Sequence, residues 1–421
     1  MATPEDRRYT VISSDGHAGA DLLDYRPYLA REHHDDFDAW AAHLVNPFES
    51  EHLLSKAQDC NWDNAVRNAD LEAQGIVGEV VFPNTVPPFF PQTQFFVPPP
   101  PSDPAEYRQR WAGLQAHNRW LADFAAQAPG RRAGVAQIML NDLDDAVAEV
   151  RRVKSAGLFG GILVPGIPPG SALPPLFDSV YDPIWAVCEE LDVPVNLHSG
   201  GGVPAYPHDP RGLAVLLSEI TWFSNRVLAH LIFGGVFERF PHLKVAFTEQ
   251  GSAWVPRELA KLDQFVHVMP LDGTAQHFFG CDMINDLSML PSEYFARNCY
   301  LGSSPLRPAE CAVRHQIGVA NIMWGADYPH AEGTFPYTLE ALRLTFADVP
   351  EHEVRAMLAE NAARFYGFDL AALAPIAAQH GPRVTDVAVP LPLEEVPADA
   401  LGSAFIDHFG TTHPALAAAH R

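Results

Sequence analysis

Apolar and polar positions along the chain alternate between short, almost continuously apolar runs and longer stretches with the 3.6-residue spacing of amphipathic helices. The apolar runs stand at 9–15, 76–82, 133–140, 161–164, 193–198, 243–249, 299–302 and 320–327. Helical spacing fills most of the intervals, over 64–75, 105–128, 142–156, 179–191, a single long helix at 212–238, a helix from Trp254, and 308–316. Eight strands alternating with helices predict an α/β fold, a (β/α)8 TIM barrel, whose functional groups sit at the C-terminal ends of the strands.

The pattern is interrupted at 21–62, 83–104 and 268–290, which are predicted to be helical and loop insertions. The second holds Phe89-Phe90, Phe95-Phe96 and Pro98 to Pro101, a run that can continue neither a helix nor a sheet interior, and is predicted to be a lid or an oligomer contact. The barrel is expected to occupy 1–368, and 369–421 to form a C-terminal arm lying against the barrel or a partner subunit. Together the arm and the Phe/Pro loop make a homodimer an expectation.

Length and composition narrow this further. A chain of 421 residues, 47% of them hydrophobic, can bury a large core, yet no stretch approaches the roughly 20 apolar residues that span a bilayer. The charged start, Met1 to Arg8, leads directly into a strand without a signal-peptide core, and a cytoplasmic location is expected. Five cysteines, odd in number and without a CxxC pair, predict reduced structural thiols. The net charge of −24 argues against nucleic acid or an anionic membrane as partner.

Four strand ends carry the chemistry. Asp15 and His17 stand two apart, so an extended backbone turns both to one face. His198 ends the fifth run before Gly200-Gly201-Gly202, Glu249 ends the sixth before Gln250-Gly251, and Asp327 ends the eighth with His330 three residues on. Each motif alone is as well read as a solvated turn. Four of them on strands one, five, six and eight predict a metal site. The glycine triplet has no Lys-Ser/Thr after it and is expected to make room beside His198 rather than to cradle phosphate. His230, in an apolar helix, is expected to be a satisfied core histidine, and His208, His33 and His34 surface residues.

These stretches, with Phe233-Gly234-Gly235-Val236-Phe237-Glu238-Arg239-Phe240-Pro241, Gly251-Ser252-Ala253-Trp254-Val255-Pro256 and Gly325-Ala326-Asp327-Tyr328-Pro329-His330, resemble the amidohydrolase superfamily over 9–368. The branch resembled includes metal-dependent decarboxylases and C–C hydrolases. The resemblance implies Asp15, His17, His198 and Asp327 as metal ligands. The chain departs from the branch at Glu249, where a histidine is usual, and at Leu163-Val164-Pro165-Gly166, which lacks the lysine that binuclear members carbamylate.

A mixed carboxylate and imidazole set suits iron, or a pair of irons, as well as zinc. The stretch from Thr248 to Trp254 is similar to the TIM-barrel non-haem diiron monooxygenases of the platensimycin/platencin-pathway type. That likeness implies two irons on Asp15, His17, His198, Glu249, Asp327 and His330, with Asp327, Glu249 and His198 in catalysis and dioxygen hydroxylating a hydrophobic, CoA-linked substrate. The alternative is one Zn or Mn ion in a hydrolase or decarboxylase, with Asp327 or Glu249 as base and a nearby histidine as acid. A scaffold protein without catalysis is the third reading.

Overall fold

Strands buried on both faces need apolar residues at every position, and this is how the eight runs come to form a barrel rather than an open half-wetted sheet. The computed structural model describes residues 7–44, 58–84, 86–91, 99–207, 209–272, 277, 287–400 and 402–405. Its barrel strands are β1 (Ile12–Ser13, resuming at His17–Ala18), β2 (Gly78–Pro83), β3 (Arg132–Gly134, resuming at Ala136–Gln137) and β4 (Ile162–Leu163). They continue as β5 (Val195–His198), β6 (Val245–Thr248), β7 (Cys299–Ser303) and β8 (Ile322–Trp324).

Every strand pairing is parallel. The two sheet segments meet at β3, where Val135 N–H donates to Val81 O and Ala136 N–H to Gly161 O, each at 2.9 Å. The ring closes between β8 and β1, where Ser14 N–H donates to Trp324 O at 2.9 Å and Asp327 N–H to Asp15 O at 3.1 Å. Successive strand residues point to opposite faces. Ile162, Val195, Leu197, Val245, Phe247, Leu301, Ile322 and Trp324 therefore join the core shared with the outer helices. Ile12, Val80, Phe82, Ala133, Val135, Ala246 and Met323 fill the interior, packed against Phe365, Tyr366 and Phe368.

Aspartates begin many of the helices. Asp63, Asp103, Asp142, Asp209 and Asp369 each accept backbone N–H bonds in the first turn, so part of the acidic composition is capping, worth about 1 kcal/mol each. The single helix expected over 212–238 is instead three, Pro210–Asn225, Val227–Phe233 and Val236–Arg239. The last break has a local cause: Gly235 takes a left-handed backbone at φ 67° and ends the run. Beyond the barrel, Leu370–His380 packs Leu373 and Ala377 into the interior-side cluster, and Tyr9 N–H donates to Pro382 O.

Phe89 is buried, with its ring against those of Phe37 and Trp40, so it anchors the 83–104 loop on the insertion after β1 rather than standing exposed. Phe95, Phe96 and Pro98 lie outside the described residues, as do His208, Cys281, most of 268–290, the first six residues and the chain end after 405. The other four cysteines are free and buried. Among the described residues no helix is long and apolar enough to cross a membrane.

Under the mouth of the barrel lies a buried ion cluster. Glu79 on β2 bonds Arg67 at 2.7 Å and Arg132 at 2.8 Å, and Arg67 Nη1 donates to His17 O at 2.8 Å. Burial alone would raise the Glu79 carboxyl, but the two guanidiniums outweigh it and hold it down at about 2. Its stabilising charge is thus complete above the ordinary carboxyl range and lost only as pH falls through about 2. Glu79→Gln should cost about 3–5 kcal/mol in denaturant unfolding at neutral pH, because two guanidiniums would remain buried without their anion.

Candidate metal centre

The strand geometry brings the four sequence motifs to one place. Asp15 lies within the gap in β1 and His17 begins its second part, and His17 Nε2 lies 3.4 Å from Asp15 Oδ1 and 3.2 Å from Asp327 Oδ1. His198, at the end of β5, puts Nε2 3.5 Å from Asp15 Oδ1 and 3.1 Å from Glu249 Oε2. His330 Nδ1 is 3.1 Å from Asp327 Oδ1, and its ring stacks on His17 with centroids 4.0 Å apart. Phe82 walls the pair, 4.7 Å from the His198 ring and 6.1 Å from that of His17.

Two of these residues are held in unusual backbone. Glu249 (φ 56°) and Asp327 (φ 58°) are both left-handed, a conformation that costs a non-glycine residue of order 1–3 kcal/mol and that clusters at functional sites. Glu249 directly follows β6 and Asp327 stands three residues beyond the end of β8, and at each the left-handed turn swings the carboxylate over the barrel mouth. Close glycines shape the rim. A Cβ on Gly325 would lie 2.9 Å from that of Asp15, and one on Gly166 would lie 2.3 Å from the Gly201 carbonyl carbon. The triplet beside His198 is thus used for close packing of two loops.

Ligand atoms of Asp15, His17, His198 and Glu249 all lie within 4.8 Å of one another, the spread of donors around a single ion. A second group, His17, Asp327 and His330, meets the same criterion. Both oxygens of Asp15 and of Asp327, with His17 Nε2, His198 Nε2 and His330 Nδ1, are buried without a well-directed hydrogen bond. Buried polar groups are ordinarily satisfied, so this concentration of orphaned donors of metal-binding type fits a cation.

Electrostatics agree. Burial and the neighbouring His330 hold His17 below the ordinary histidine range despite Asp327 and Asp15, which keeps it neutral and ligand-ready. Burial would also lower His198, but Glu249 and Asp15 outweigh it and hold a proton there. Burial raises Glu249, and Asp327 is held low because His330 and His17 outweigh its burial. His330 is raised to about 9, Asp327 outweighing its burial. The carboxylates demand positive charge, and without an ion they take it as protons.

An amidohydrolase family model matches residues 61–368. The chain belongs to the amidohydrolase family. It is 29% identical over 221 residues to the gamma-resorcylate decarboxylase of Polaromonas sp. (strain JS666), and 31% identical over 226 residues to that of Rhodococcus jostii (strain RHA1). Each match covers 50% of this chain and 64% of the relative, so the chain spans about two-thirds of the length of these relatives. The 2-amino-3-carboxymuconate-6-semialdehyde decarboxylase of Dictyostelium discoideum is 25% identical over 314 residues, 73% of this chain and 77% of the relative.

The fold is similar to that of 5-carboxyvanillate decarboxylase from Sphingomonas paucimobilis, with a TM-score of 0.61 at 20% identity over 86% of this chain and 100% of that one. It is also similar to the dihydroxybenzoic acid decarboxylase of Polaromonas sp. JS666, solved with bound manganese and 2-nitroresorcinol, with a TM-score of 0.57 at 19% identity over 85% of this chain and 97% of that one.

These findings overturn the monooxygenase expected from Glu249. The relatives are decarboxylases, and the diiron, oxidoreductase and CoA-linked readings fall away with it. The physical reason is in the cage. His17 Nδ1 is bonded to Pro83 O, so Nε2 is its one inward nitrogen and cannot serve both donor groups at once. Glu249 completes the first group, and the further set it makes with Asp327 and Glu332 holds carboxylates alone, without the imidazole expected at a second iron.

Of the residues singled out in the sequence, Asp15, His17, His198, Glu249, Asp327 and His330 converge here. His230 does not: it is half-buried against Phe177, below the ordinary histidine range because of burial and Arg226. Sequence reasoning missed Asn84, whose Oδ1 lies 3.0 Å from His330 Nε2, and Glu332, whose carboxylate approaches Glu249 and Asp327. Asn84 directly follows β2, and that placement at a strand's C-terminal end was the available signal.

The proton on His198 must leave when a cation binds. Because Glu249 is raised as well, uptake of a divalent ion by cation-free protein at pH 7 should release between about one and two protons, and affinity should rise about tenfold or more per pH unit between pH 6 and 8. Titration calorimetry in buffers of different ionisation enthalpy measures both.

Proposed function

We propose that the chain is a decarboxylase of small aromatic carboxylic acids, dependent on one divalent cation, with manganese favoured over zinc. The observation that carries this reading is the cage in which unpartnered ligand atoms of Asp15, His17 and His198 converge with the Glu249 carboxylate, in a chain whose relatives are decarboxylases. The manganese held by the dihydroxybenzoic acid decarboxylase supports the metal. The barrel is taken as the catalytic unit through residue 368, with 369–421 as its extension.

In this reading Asp15, His17, His198 and Glu249 hold the ion. Bound there, it would supply fixed positive charge for the substrate carboxylate and a neighbouring phenolic oxygen. His198, Glu249 and His330 are the partly open members, with side chains 13%, 24% and 15% exposed, so the substrate enters over them. Phe82 offers the reacting ring an apolar wall. Decarboxylation replaces a carbon–carbon bond with a carbon–hydrogen bond, so the ring carbon must gain one proton as carbon dioxide leaves. His330 stores that proton at Nδ1 against Asp327, and Asp327, between His330 and the cage, hands it on. After carbon dioxide departs, a proton from solvent recharges His330 through the open side.

The test is carbon dioxide release from 2,6-dihydroxybenzoate, 5-carboxyvanillate and related phenolic acids by manganese-loaded protein, under air and under strict anaerobiosis. Equal rates in both, with about one ion per chain, are expected. Failure of every acid at full metal loading would sink the reading. In the same assay His330→Gln should lower kcat by about 10²–10⁴-fold, the usual weight of a general acid, while bound metal per chain is unchanged.

A further inference from the structure

The inward nitrogen of His330 is dictated by hydrogen bonds that begin at a main-chain carbonyl. Asn61 Nδ2 donates to Gln58 O at 3.0 Å. A carbonyl can only accept, so the Asn61 amide is oriented without ambiguity and its Oδ1 faces the other way. That oxygen receives Asn84 Nδ2 at 2.5 Å, which fixes the second amide and turns Asn84 Oδ1 toward His330. His330 Nε2 lies 3.0 Å from Asn84 Oδ1 and, facing an acceptor, must carry the hydrogen. Nδ1 is then the nitrogen presented to Asp327.

Both asparagines are built in firmly. Asn61 is 1% and Asn84 6% exposed, Asn84 N–H donates to Ala18 O at 3.0 Å, and Asn61 O accepts from Gly19 N–H at 3.3 Å. The network ties the turn Gln58–Asn61, the end of β1 and the end of β2 to a histidine that follows β8. Its polarity runs one way, from Gln58 O to Nδ1 of His330, and no member can flip alone without placing two donors or two acceptors face to face.

We infer that Asn84, oriented by Asn61, is a positioning residue that commits His330 Nε2 to outward hydrogen bonding and so directs Nδ1 at Asp327. The inference rests on His330 serving the decarboxylation described above, and its structural half is independent of that chemistry. With the acceptor removed, the imidazole can rotate or change tautomer, and Nδ1 no longer faces Asp327 in every molecule.

Asn84→Leu removes the acceptor, whereas Asn84→Asp, carried in an Asn61→Ala background so that no second acceptor faces the new carboxylate, keeps an oxygen for Nε2–H. In cation-free protein with ¹⁵N-labelled histidine, the wild type and Asn84→Asp should show a slowly exchanging Nε2–H proton assigned to His330 by its absence in His330→Gln. Asn84→Leu should lack it, and Asn61→Ala, which leaves Asn84 in place, should broaden or weaken it. In the decarboxylation assay Asn84→Leu should lose at least tenfold in kcat with KM and metal content near wild type, and Asn84→Asp should restore most of the loss. Survival of the Nε2–H signal in Asn84→Leu overturns the inference, as does an equal loss of kcat in the Asp and Leu variants. The imidazole signal needs no substrate, so a protein inactive on every aromatic acid would still decide whether Asn84 orients His330.

Discussion

Three carboxylates, Asp15, Glu249 and Asp327, meet in a barrel mouth walled by Phe82 and floored by apolar strand residues. Carboxylates so far out of water are costly unless positive charge is close, and most of the local design answers that demand. Two imidazoles face them from β1 and β5, and a third stacks on His17 from the loop after β8. The left-handed turns at Glu249 and Asp327 are the conformational cost of aiming two of the acids inward. In the proposed reading a cation answers this demand for Asp15 and Glu249, His330 and His17 answer it for Asp327, and without an ion the same field holds protons on His198 and His330.

The scaffold beneath keeps this field away from the rest of the core. The Glu79 cluster neutralises its own charges within a few ångströms, and through Arg67 it grips the carbonyl of His17. Tyr328, next to Asp327, lies with its ring 5.1 Å from the same guanidinium and donates to Asp70 at 2.6 Å. The two ends of the barrel seam are thus braced by one buried arginine. Barrel closure, ligand placement and the buried ion cluster form a single mechanical unit.

Glu249 shows how one substitution can be misread from sequence. A carboxylate at a strand end where the resemblance led one to expect an imidazole suggests a harder and richer ligand set, and from there a pair of irons. Distances decide otherwise. The carboxylate stands 3.1 Å from His198 Nε2 and closes the first cage, while the sets around Asp327 either reuse the one inward nitrogen of His17 or hold carboxylates alone. Ligand type constrains which metals are possible, and the number of independent donor atoms constrains how many.

The chain's own order of residues determined the barrel, because strands buried on both faces need continuous apolar runs and helices between them need a 3.6-residue stripe. It also placed Asp15, His17, His198, Glu249, Asp327 and His330 at strand ends, where parallel strands running one way must gather them. Tertiary structure alone decided what those residues share: which nitrogen of His17 points inward, and which donors belong to one ion. It likewise decided that Asn61 and Asn84, unremarkable in an insertion and after a strand, orient a histidine 246 positions further on. Hydrogen-bond polarity and inter-strand distances exist only once the ring has closed, so no local pattern of residues carries them.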